Sequence, residues 1–161
     1  GITALMTAAE GGHVEAVQAV VELGGDIRAK NSEGWTVLMW AAVGGHAEVV
    51  RTLVELGGDC NARANNGMTA LMLAAVGGHV KAIRALADLG GDVNANSENG
   101  MTAVIAAALG GHVEAVRALA ELGGDLSAVD KQGKGALHHA RAGGHEELVA
   151  LLEELGGARV Q

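Results

Sequence analysis

Apolar and polar residues alternate in blocks along the chain, and residues 67–99 show the pattern clearly. An apolar block, TALMLAAV, ends at Gly77–Gly78, and a mixed block, HVKAIRALADL, ends at Gly90–Gly91. In the mixed block, apolar residues such as Ile83 and Leu86 recur at helical spacing. Because glycine readily adopts the left-handed conformation that ends a helix, we predict two short helices. The segment DVNANSENG that follows is rich in Asn, Asp and Gly, and it predicts a turn.

The same pattern recurs every 33 residues without an insertion. The copies span residues 1–33, 34–66, 67–99, 100–132 and, in a shorter form, 133–161. Of the 26 glycines, all but Gly135 fall at the same five places in these copies. A fixed period of this length is typical of proteins that stack one supersecondary unit on the next. We predict an all-α stack of helix–turn–helix pairs that forms one domain over residues 1–161.

The repeated unit resembles the ankyrin repeat, and the resemblance covers the entire chain. The matching positions, quoted from the third copy, are Gly67, Thr69, Leu71, Ala74, Ala75, Gly78, His79, Gly90, Asp92, Asn94 and Ala95. The resemblance implies an ankyrin-repeat solenoid, whose turn tips and first helices line a concave face where partners bind.

Two features of the ankyrin pattern are missing. The proline that follows the threonine is replaced by Ala4, Val37, Ala70, Ala103 and Ala136. The histidine two residues later is replaced by Met6, Met39, Met72 and Ile105, while the last copy has His138 but Gly135 in place of threonine. The Thr–His hydrogen bond that the family implies is therefore lost in every copy. We expect the fold to survive, with a weaker start to each first helix.

Three positions that are apolar in the first four copies carry a charged residue in the fifth copy. Arg141 replaces an alanine of the first helix, and Glu146 and Glu153 replace apolar residues of the second helix. Terminal repeats need a polar outer side, so we predict that residues 133–161 include a C-terminal cap. The first copy shows no such change, and we expect its end face to be apolar. The chain also begins at Gly1 rather than at a methionine, as expected of a piece of a longer protein.

The middle three copies are apolar in the columns that the resemblance places on the concave face. We predict a partner-binding site there with an apolar floor and a polar rim, the anatomy of an interface. Its residues are Trp35, Trp40, Val43, Met68, Leu73, Val76, Met101, Leu109, Glu33, Arg63, Asn66 and Asn99, with Lys30 as a further rim residue. Large apolar residues on a helix usually belong to the core. A second interpretation therefore assigns Trp40, Leu73 and Val43 to the core.

The recurring histidines and the single cysteine do not predict a metal site or a catalytic site. His13, His46, His79, His112 and His145 are one repeat apart, too far for a shared zinc ion. We expect them to bond backbone groups at the start of the second helices. His138, His139 and His145 lie close in sequence, but no Cys or carboxylate spacing supports a metal site. Cys60 stands where other copies have Ile, Val or Leu, so we predict a small buried side chain.

Catalytic and cofactor motifs are absent from the sequence. No nucleophile stands with a histidine base and an orienting acid, and neither a P-loop nor GxGxxG occurs. We predict a protein that is not an enzyme and has no cofactor or metal.

Composition and charge narrow the class of partner. The formal net charge is −8, which argues against nucleic acid and anionic membranes, since both attract clustered Lys and Arg. Glu48, Arg51 and Glu55 are three and four residues apart, which predicts a solvated ladder of charges along the second helix. A single cysteine suits a reducing compartment, and no uncharged run reaches the ~18 residues of a membrane span. We therefore predict an intracellular, cytoplasmic protein without membrane insertion.

Three hypotheses for function remain open at this stage. The first is a protein–protein interaction module that binds an apolar or amphipathic segment of a protein or peptide. The second is a scaffold that self-associates through the apolar face or the N-terminal end. The third is an engineered or reconstructed repeat protein, although drift at framework positions such as Cys60, Val104 and Gly135 is more typical of natural divergence.

Overall fold

A computed structural model describes residues 1–160, with side chains as far as residue 157. Ten helices occur in this described part. They are α1 (Ala4–Glu10), α2 (Val14–Glu22), α3 (Val37–Gly44), α4 (Ala47–Glu55), α5 (Ala70–Val76), α6 (Val80–Asp88), α7 (Ala103–Leu109), α8 (Val113–Glu121), α9 (Ala136–Ala142) and α10 (Glu146–Val160). Extended pairing among residues 1–160 is limited to two isolated bridges, Lys30 with Thr36 and Val129 with Gly135. The predicted all-α architecture is confirmed.

The helices form two layers. The first helices of the copies pack in sequence from α1 through α3, α5 and α7 to α9, and the second helices pack from α2 to α10 in the same way. The core lies between the layers. Fully buried side chains recur at matching positions: Met6, Met39, Met72 and Ile105 on the first helices, and Leu53, Leu86 and Leu119 on the second. The 33-residue period thus places the same few side chains in the core of the second, third and fourth copies.

Threonine begins four of the five first helices. The hydroxyl oxygens of Thr3, Thr36, Thr69 and Thr102 accept the backbone N–H three residues later, at 3.2–3.4 Å. In α3 the Sδ atom of Met39 also accepts the backbone N–H of Thr36, at 3.4 Å, so the methionine completes a reciprocal cap. The N-cap residue of α9 is Gly135, which has no side chain to make this bond.

The histidine of each Gly-Gly-His segment joins two copies. Nε2 of His46 donates to the carbonyl of Glu10 at 2.8 Å, and Nε2 of His79 donates to Val43 at 2.9 Å. His112 makes the same bond to Val76. The prediction of a bond at the start of the second helix is wrong. The ring instead reaches the C-terminal end of the first helix of the preceding copy. The His is the N-cap residue of its own helix but makes no side-chain bond there.

The turn segments also bond to one another across copies. Backbone N–H groups of Asn65, Glu98 and Lys131 donate to the carbonyls of Glu33, Asn66 and Asn99, at 2.9–3.0 Å. Asn61 adds a bridge in which Nδ2 donates to Gly90 and Oδ1 accepts from the N–H of Asp92. These bonds hold successive turn tips in line, and their backbone groups are already paired.

Charged residues of the second helices pair mainly across copies. Arg51 reaches Asp88 at 3.5 Å and Arg84 reaches Glu121 at 2.6 Å, in each case on the next helix of the layer. The expected pairing within a helix is present in α8, where Arg117 lies 3.7 Å from Glu114. All of these side chains are exposed, so the ladder is solvated as predicted.

The two ends of the stack differ in polarity. Arg141, Glu146 and Glu153 are exposed, and Arg141 pairs with Glu153 at 2.7 Å. At the other end, Ala16 and Ala19 of α2 are exposed, although residues at the same positions in α6 and α8 are buried.

The last helix departs from the predicted boundary. Helix α10 continues to Val160, so Gly156–Gly157 lie within it. The prediction that a glycine pair ends every second helix is wrong here. A glycine pair permits a left-handed turn but does not impose one. In the second and third copies, Asn61 and Asn94 after the glycine pair donate to carbonyls of the next copy.

Candidate protein-binding face

The predicted site residues line one face of the first helices and turn tips, which we call the first-helix face. It comprises the tip residues Trp35, Met68 and Met101, the mid-helix residues Trp40, Leu73 and Ala106, and the helix-end residues Val43, Val76 and Leu109. The helix-end residues are 36%, 48% and 52% exposed. Three consecutive copies therefore each present an apolar side chain to solvent at the same place.

The two tryptophans contact each other. Their ring centroids are 5.2 Å apart and the rings are inclined by 55°. Trp35 stands at the turn tip and Trp40 on α3, so this contact joins the tip to the helix. Val43 lies one helical turn beyond Trp40, on the same side of α3. Both tryptophans of the Phe- and Tyr-free chain thus form one partly exposed cluster on this face.

Burial separates the members of the face. The tip residues Trp35, Met68 and Met101 and the mid-helix Trp40 are half-buried and pack against the core. Leu73 is only 8% exposed, so it forms the floor rather than a contact surface. Trp40 therefore belongs partly to the core and partly to the surface. Its Nε1 is buried and bonds no acceptor within the described part of the chain.

Polar residues border the turn tips. Glu33, Arg63, Asn66 and Asn99 are exposed. Two of them also hold the turns together, since Arg63 donates to the carbonyl of Asn96 and Oδ1 of Asn66 accepts the N–H of Met68 at 3.1 Å. A cavity of about 440 Å³ lies at the tips and is lined by Ser32, Glu33, Trp35, Asn65 and Asn66.

Charge differs between the two ends of this face. Glu10 and Glu33 are exposed in the first copy, and Glu98 is exposed at the third tip. The exposed Lys30 offsets one of the two carboxylates of the first copy. Toward the fifth copy, Lys131 is exposed and Lys134 half-buried, against the single carboxylate of Asp130.

Asp130 organises the last turn. Its Oδ1 accepts the backbone N–H groups of Gln132 and Lys134, at 2.8 and 3.0 Å, and its Oδ2 accepts from Nε2 of His139 at 3.0 Å. The N–H of Lys134, and after it the ring of His139, lower the pKa of the Asp130 carboxyl below its ordinary value. The carboxylate therefore stays ionised and fixes the tip.

Cys60 and the histidines form no reactive cluster that the structure describes. The Cys60 thiol is buried and donates to the carbonyl of Leu89 at 3.4 Å, and desolvation raises its pKa. Among residues 1–160, no group of three or more His, Cys, Asp or Glu side chains is arranged to hold a metal ion. Nε2 of His139 donates to Asp130.

One pocket was not predicted from the sequence. A pocket of about 420 Å³, open to solvent on one side, lies between the first two turn segments. It is lined by Ile27, Arg28, Lys30, Thr36, Leu38, Leu53, Gly58, Asp59, Asn61, Ala62 and Arg63. Arg28 stands where the next two copies have Asn61 and Asn94, and it donates to the carbonyl of Gly57 at 3.3 Å. Because arginine has no acceptor, it cannot make the second half of the asparagine bridge. The arginine in place of asparagine at residue 28 is the feature of the sequence that could have indicated a difference between the first two turn segments.

Two layers of helices in 33-residue register, joined by bonded turn tips and His–carbonyl contacts, define a helical-repeat solenoid. The family model for ankyrin repeats (3 copies) matches residues 1–64, 56–130 and 89–161. The chain belongs to the ankyrin-repeat family. Ankyrin repeats are generally protein–protein interaction modules, and the family is typically non-catalytic. A search among curated proteins finds no match for the chain. No helix within residues 1–160 is long and apolar enough to cross a membrane.

Proposed function

We propose that this chain is a non-catalytic interaction module that binds an apolar or amphipathic segment of a partner protein on the first-helix face. The observation that supports it most directly is the exposed column of Val43, Val76 and Leu109. Contiguous apolar side chains exposed on a protein surface usually mark a site of interaction. Trp35 and Met68 lie at the tips of the same copies.

The residue types suit a binding surface. A half-buried tryptophan is already held by its neighbours, so it loses little conformational entropy on binding, and Trp is enriched among anchor residues. Methionine adapts its shape to different partners. The exposed Glu33, Asn66 and Asn99 supply the polar rim that surrounds the core of an interface.

Capture of partners tests this proposal. The parent chain is compared with a variant that combines Trp35→Asp, Met68→Asp and Met101→Asp, after circular dichroism has shown equal helicity. We expect proteins captured by the parent to be lost from this variant. A control with Gln18→Asp, Leu56→Asp and Ala150→Asp adds three acidic side chains at exposed positions of the second-helix layer, outside the face, and it should capture as the parent does. Equal capture by all three chains would contradict the proposal.

Truncating one side chain measures how much Trp35 contributes to the affinity for a partner. Trp35→Ala should weaken binding of a captured partner by about 2 kcal/mol or more, roughly thirtyfold in Kd. Because both tryptophans lie on this face and tyrosine is absent, the intrinsic emission of the parent should change when the partner binds. Unchanged affinity after Trp35→Ala would remove Trp35 from the site.

The N-terminal end supports a second candidate function, self-association. Ile2 and Leu23 are strongly exposed there, beside the exposed Ala16 and Ala19. A second copy that covers these residues would make the mass in solution depend on concentration. Light scattering over a concentration series measures this directly, and a constant monomer mass would contradict self-association.

A further inference from the structure

We infer that the partner segment on the first-helix face is an amphipathic α-helix with apolar residues every seven positions. Its axis runs across the second, third and fourth copies, and its N-terminus points toward the first copy. This inference rests on the proposed function, since it names what occupies the same face.

Backbone hydrogen bonding favours a helix over an extended segment. The floor of the face is apolar, and the N–H groups of Asn65, Glu98 and Lys131 at the tips are already bonded to neighbouring tips. An extended backbone pressed against this floor would bury N–H and C=O groups without partners, at a cost of a few kcal/mol each. A helix satisfies these groups internally except at its ends.

Spacing along the face gives the sequence period. Helices α3, α5 and α7 pack directly on one another, and packed helices lie about 8–10 Å apart. Seven residues of an α-helix rise about 10.5 Å at 1.5 Å each, so residues i, i+7 and i+14 meet successive copies in register. Three residues of a β-strand span about 10 Å as well, but successive third residues point to opposite faces.

The width of the first-helix face favours an α-helix over a polyproline II segment. Three polyproline II residues rise about 9 Å, which also fits the copy spacing, but such a segment has no internal bonds and its backbone is solvated. The face presents two apolar rows, one at the tips with Met68 and one at the helix ends with Val76. They lie at opposite ends of first helices about 10–12 Å long. A helix of about 10–12 Å diameter fills this width and offers two adjacent rows of side chains to it.

Charge sets the direction. Glu10 and Glu33 outnumber Lys30 at the first-copy end, whereas Lys131 and Lys134 outnumber the carboxylate of Asp130 at the opposite end. A helix carries partial positive charge at its N-terminus and partial negative charge at its C-terminus. Complementarity therefore places the N-terminus at the first copy, with Lys or Arg early in the partner helix and Asp or Glu late. Between these ends, Arg63 in the second turn segment and Glu98 in the third add charges of opposite sign.

A selection from displayed random peptides tests the inference. Peptides of about 20 residues, which span about 30 Å as a helix, are selected on the parent chain. They are then depleted on the variant with Trp35→Asp, Met68→Asp and Met101→Asp. We expect the retained sequences to share apolar residues at i, i+7 and i+14, with basic residues early and acidic residues late. The free peptide should gain helicity when it binds.

A charge-exchanged peptide controls for orientation. Swapping the early basic and late acidic residues of one retained peptide should weaken its affinity by about tenfold at low ionic strength. The difference should shrink at about 1 M salt, where the Debye length is ~3 Å. Equal affinities at low salt would overturn the orientation.

The remaining outcomes separate this inference from the proposed function. Retained peptides that need the face but lack the seven-residue spacing would overturn the helix and leave the binding face standing. Selection that yields no peptide depending on the face would count against the face itself, and both proposals would then fail.

Discussion

At the scale of single residues, the Gly-Gly-His segment is a fitted contact between copies. A Cβ at Gly45 would lie 2.5 Å from the ring of His79, and a Cβ at Gly44 would lie 2.5 Å from the ring of His46. Each ring therefore occupies space that only two glycines leave open, one in its own copy and one in the preceding copy. The φ of Gly45 is +73°, which adds a backbone reason for glycine.

Two alanine substitutions separate these two reasons. Gly144 has a φ of +71°, close to that of Gly45, but no atom lies within 4 Å of its hypothetical Cβ. We expect Gly144→Ala to cost about 1–2 kcal/mol through backbone strain alone. Gly45→Ala should cost about 1–3 kcal/mol more, because it displaces the His79 ring and breaks its bond to Val43. Urea unfolding of both variants measures the difference, and equal losses would show that the ring contact contributes nothing.

Asp130 makes stability depend on acid. Its pKa is lowered in the folded chain, so folding favours the ionised carboxyl. This contribution is complete above the ordinary Asp pKa of about 3.9 and is lost as the pH falls through the lower folded value. Asn31 occupies the same place in the first copy and accepts the N–H groups of Glu33 and Trp35. An uncharged amide can therefore replace the carboxylate in such a turn.

Asp130→Asn should remove that acid sensitivity. We expect the free energy of unfolding of the parent to fall below about pH 4 more steeply than that of the variant. Urea unfolding near pH 7 and near pH 3 provides the comparison. Parallel pH profiles would mean that Asp130 does not contribute to acid unfolding.

At the scale of elements, the first helices are too short to be stable alone. They have seven or eight residues, and isolated helices shorter than ~12 residues are marginal in water. Packing within the layer and the threonine caps therefore stabilise them. Helix α9 has the packing without the cap, because Gly135 stands in the threonine position.

Gly135→Ser should supply the missing cap. The φ of Gly135 is −98° with extended ψ, a conformation open to any residue. Its Cβ would meet the carbonyl of Ala128 at 3.1 Å, so a small side chain is preferable. We expect a gain of about 0.5–1 kcal/mol in the free energy of unfolding, from the cap bond and the reduced freedom of the unfolded chain. Thr102→Gly is the converse control and should not stabilise. A gain of similar size in both variants would exclude the cap as its cause.

The local sequence predicts elements better than contacts between them. The apolar blocks and glycine pairs around α5 and α6 locate both helices within a residue or two. They do not show that the His79 ring bonds the preceding copy, or that Arg51 pairs with Asp88 on the next helix. These bonds depend on the offset between neighbouring copies, which a period alone does not give. The extension of α10 through Gly156–Gly157 could not be read from the sequence either, since a glycine pair permits a left-handed turn without imposing one.

For the molecule as a whole, the residues of the candidate face could be predicted by comparing matching positions of the copies. Which of these side chains are exposed could not be predicted in this way. Val76 and Leu73 are both apolar and three residues apart, yet one is exposed and the other is buried. Which of them projects depends on how α5 is rotated between α3 and α7. The contact between Trp35 and Trp40 follows from the same packing. Binding strength will therefore depend on residues that hold the helices in place as well as on those that touch a partner.

The two ends of the stack should open at different rates. In α10, Leu148, Leu151 and Leu152 are buried, whereas the first copy has Ala16, Ala19 and Val20 at these positions, with both alanines exposed. Each repeat is stabilised by its own core and by the neighbours it covers. Low burial of apolar surface favours local opening. We therefore expect amide hydrogen exchange to be fastest in α2, slower in α10 and slowest in α6 and α8.

Exchange measured by mass spectrometry near neutral pH would give this order directly. Fusing an additional copy of residues 67–99 ahead of Gly1 provides the control, because it covers the exposed side of α2 with a repeat of the same kind. Protection of α2 should then approach that of α4. If α2 exchanges slowly in the parent chain, or if the fused repeat leaves it unchanged, uncovered apolar surface is not what limits the stability of this end. If α2 gains protection as expected, the stability of each copy is set by its neighbours, and a partner bound across the middle copies should also slow exchange in α3, α5 and α7.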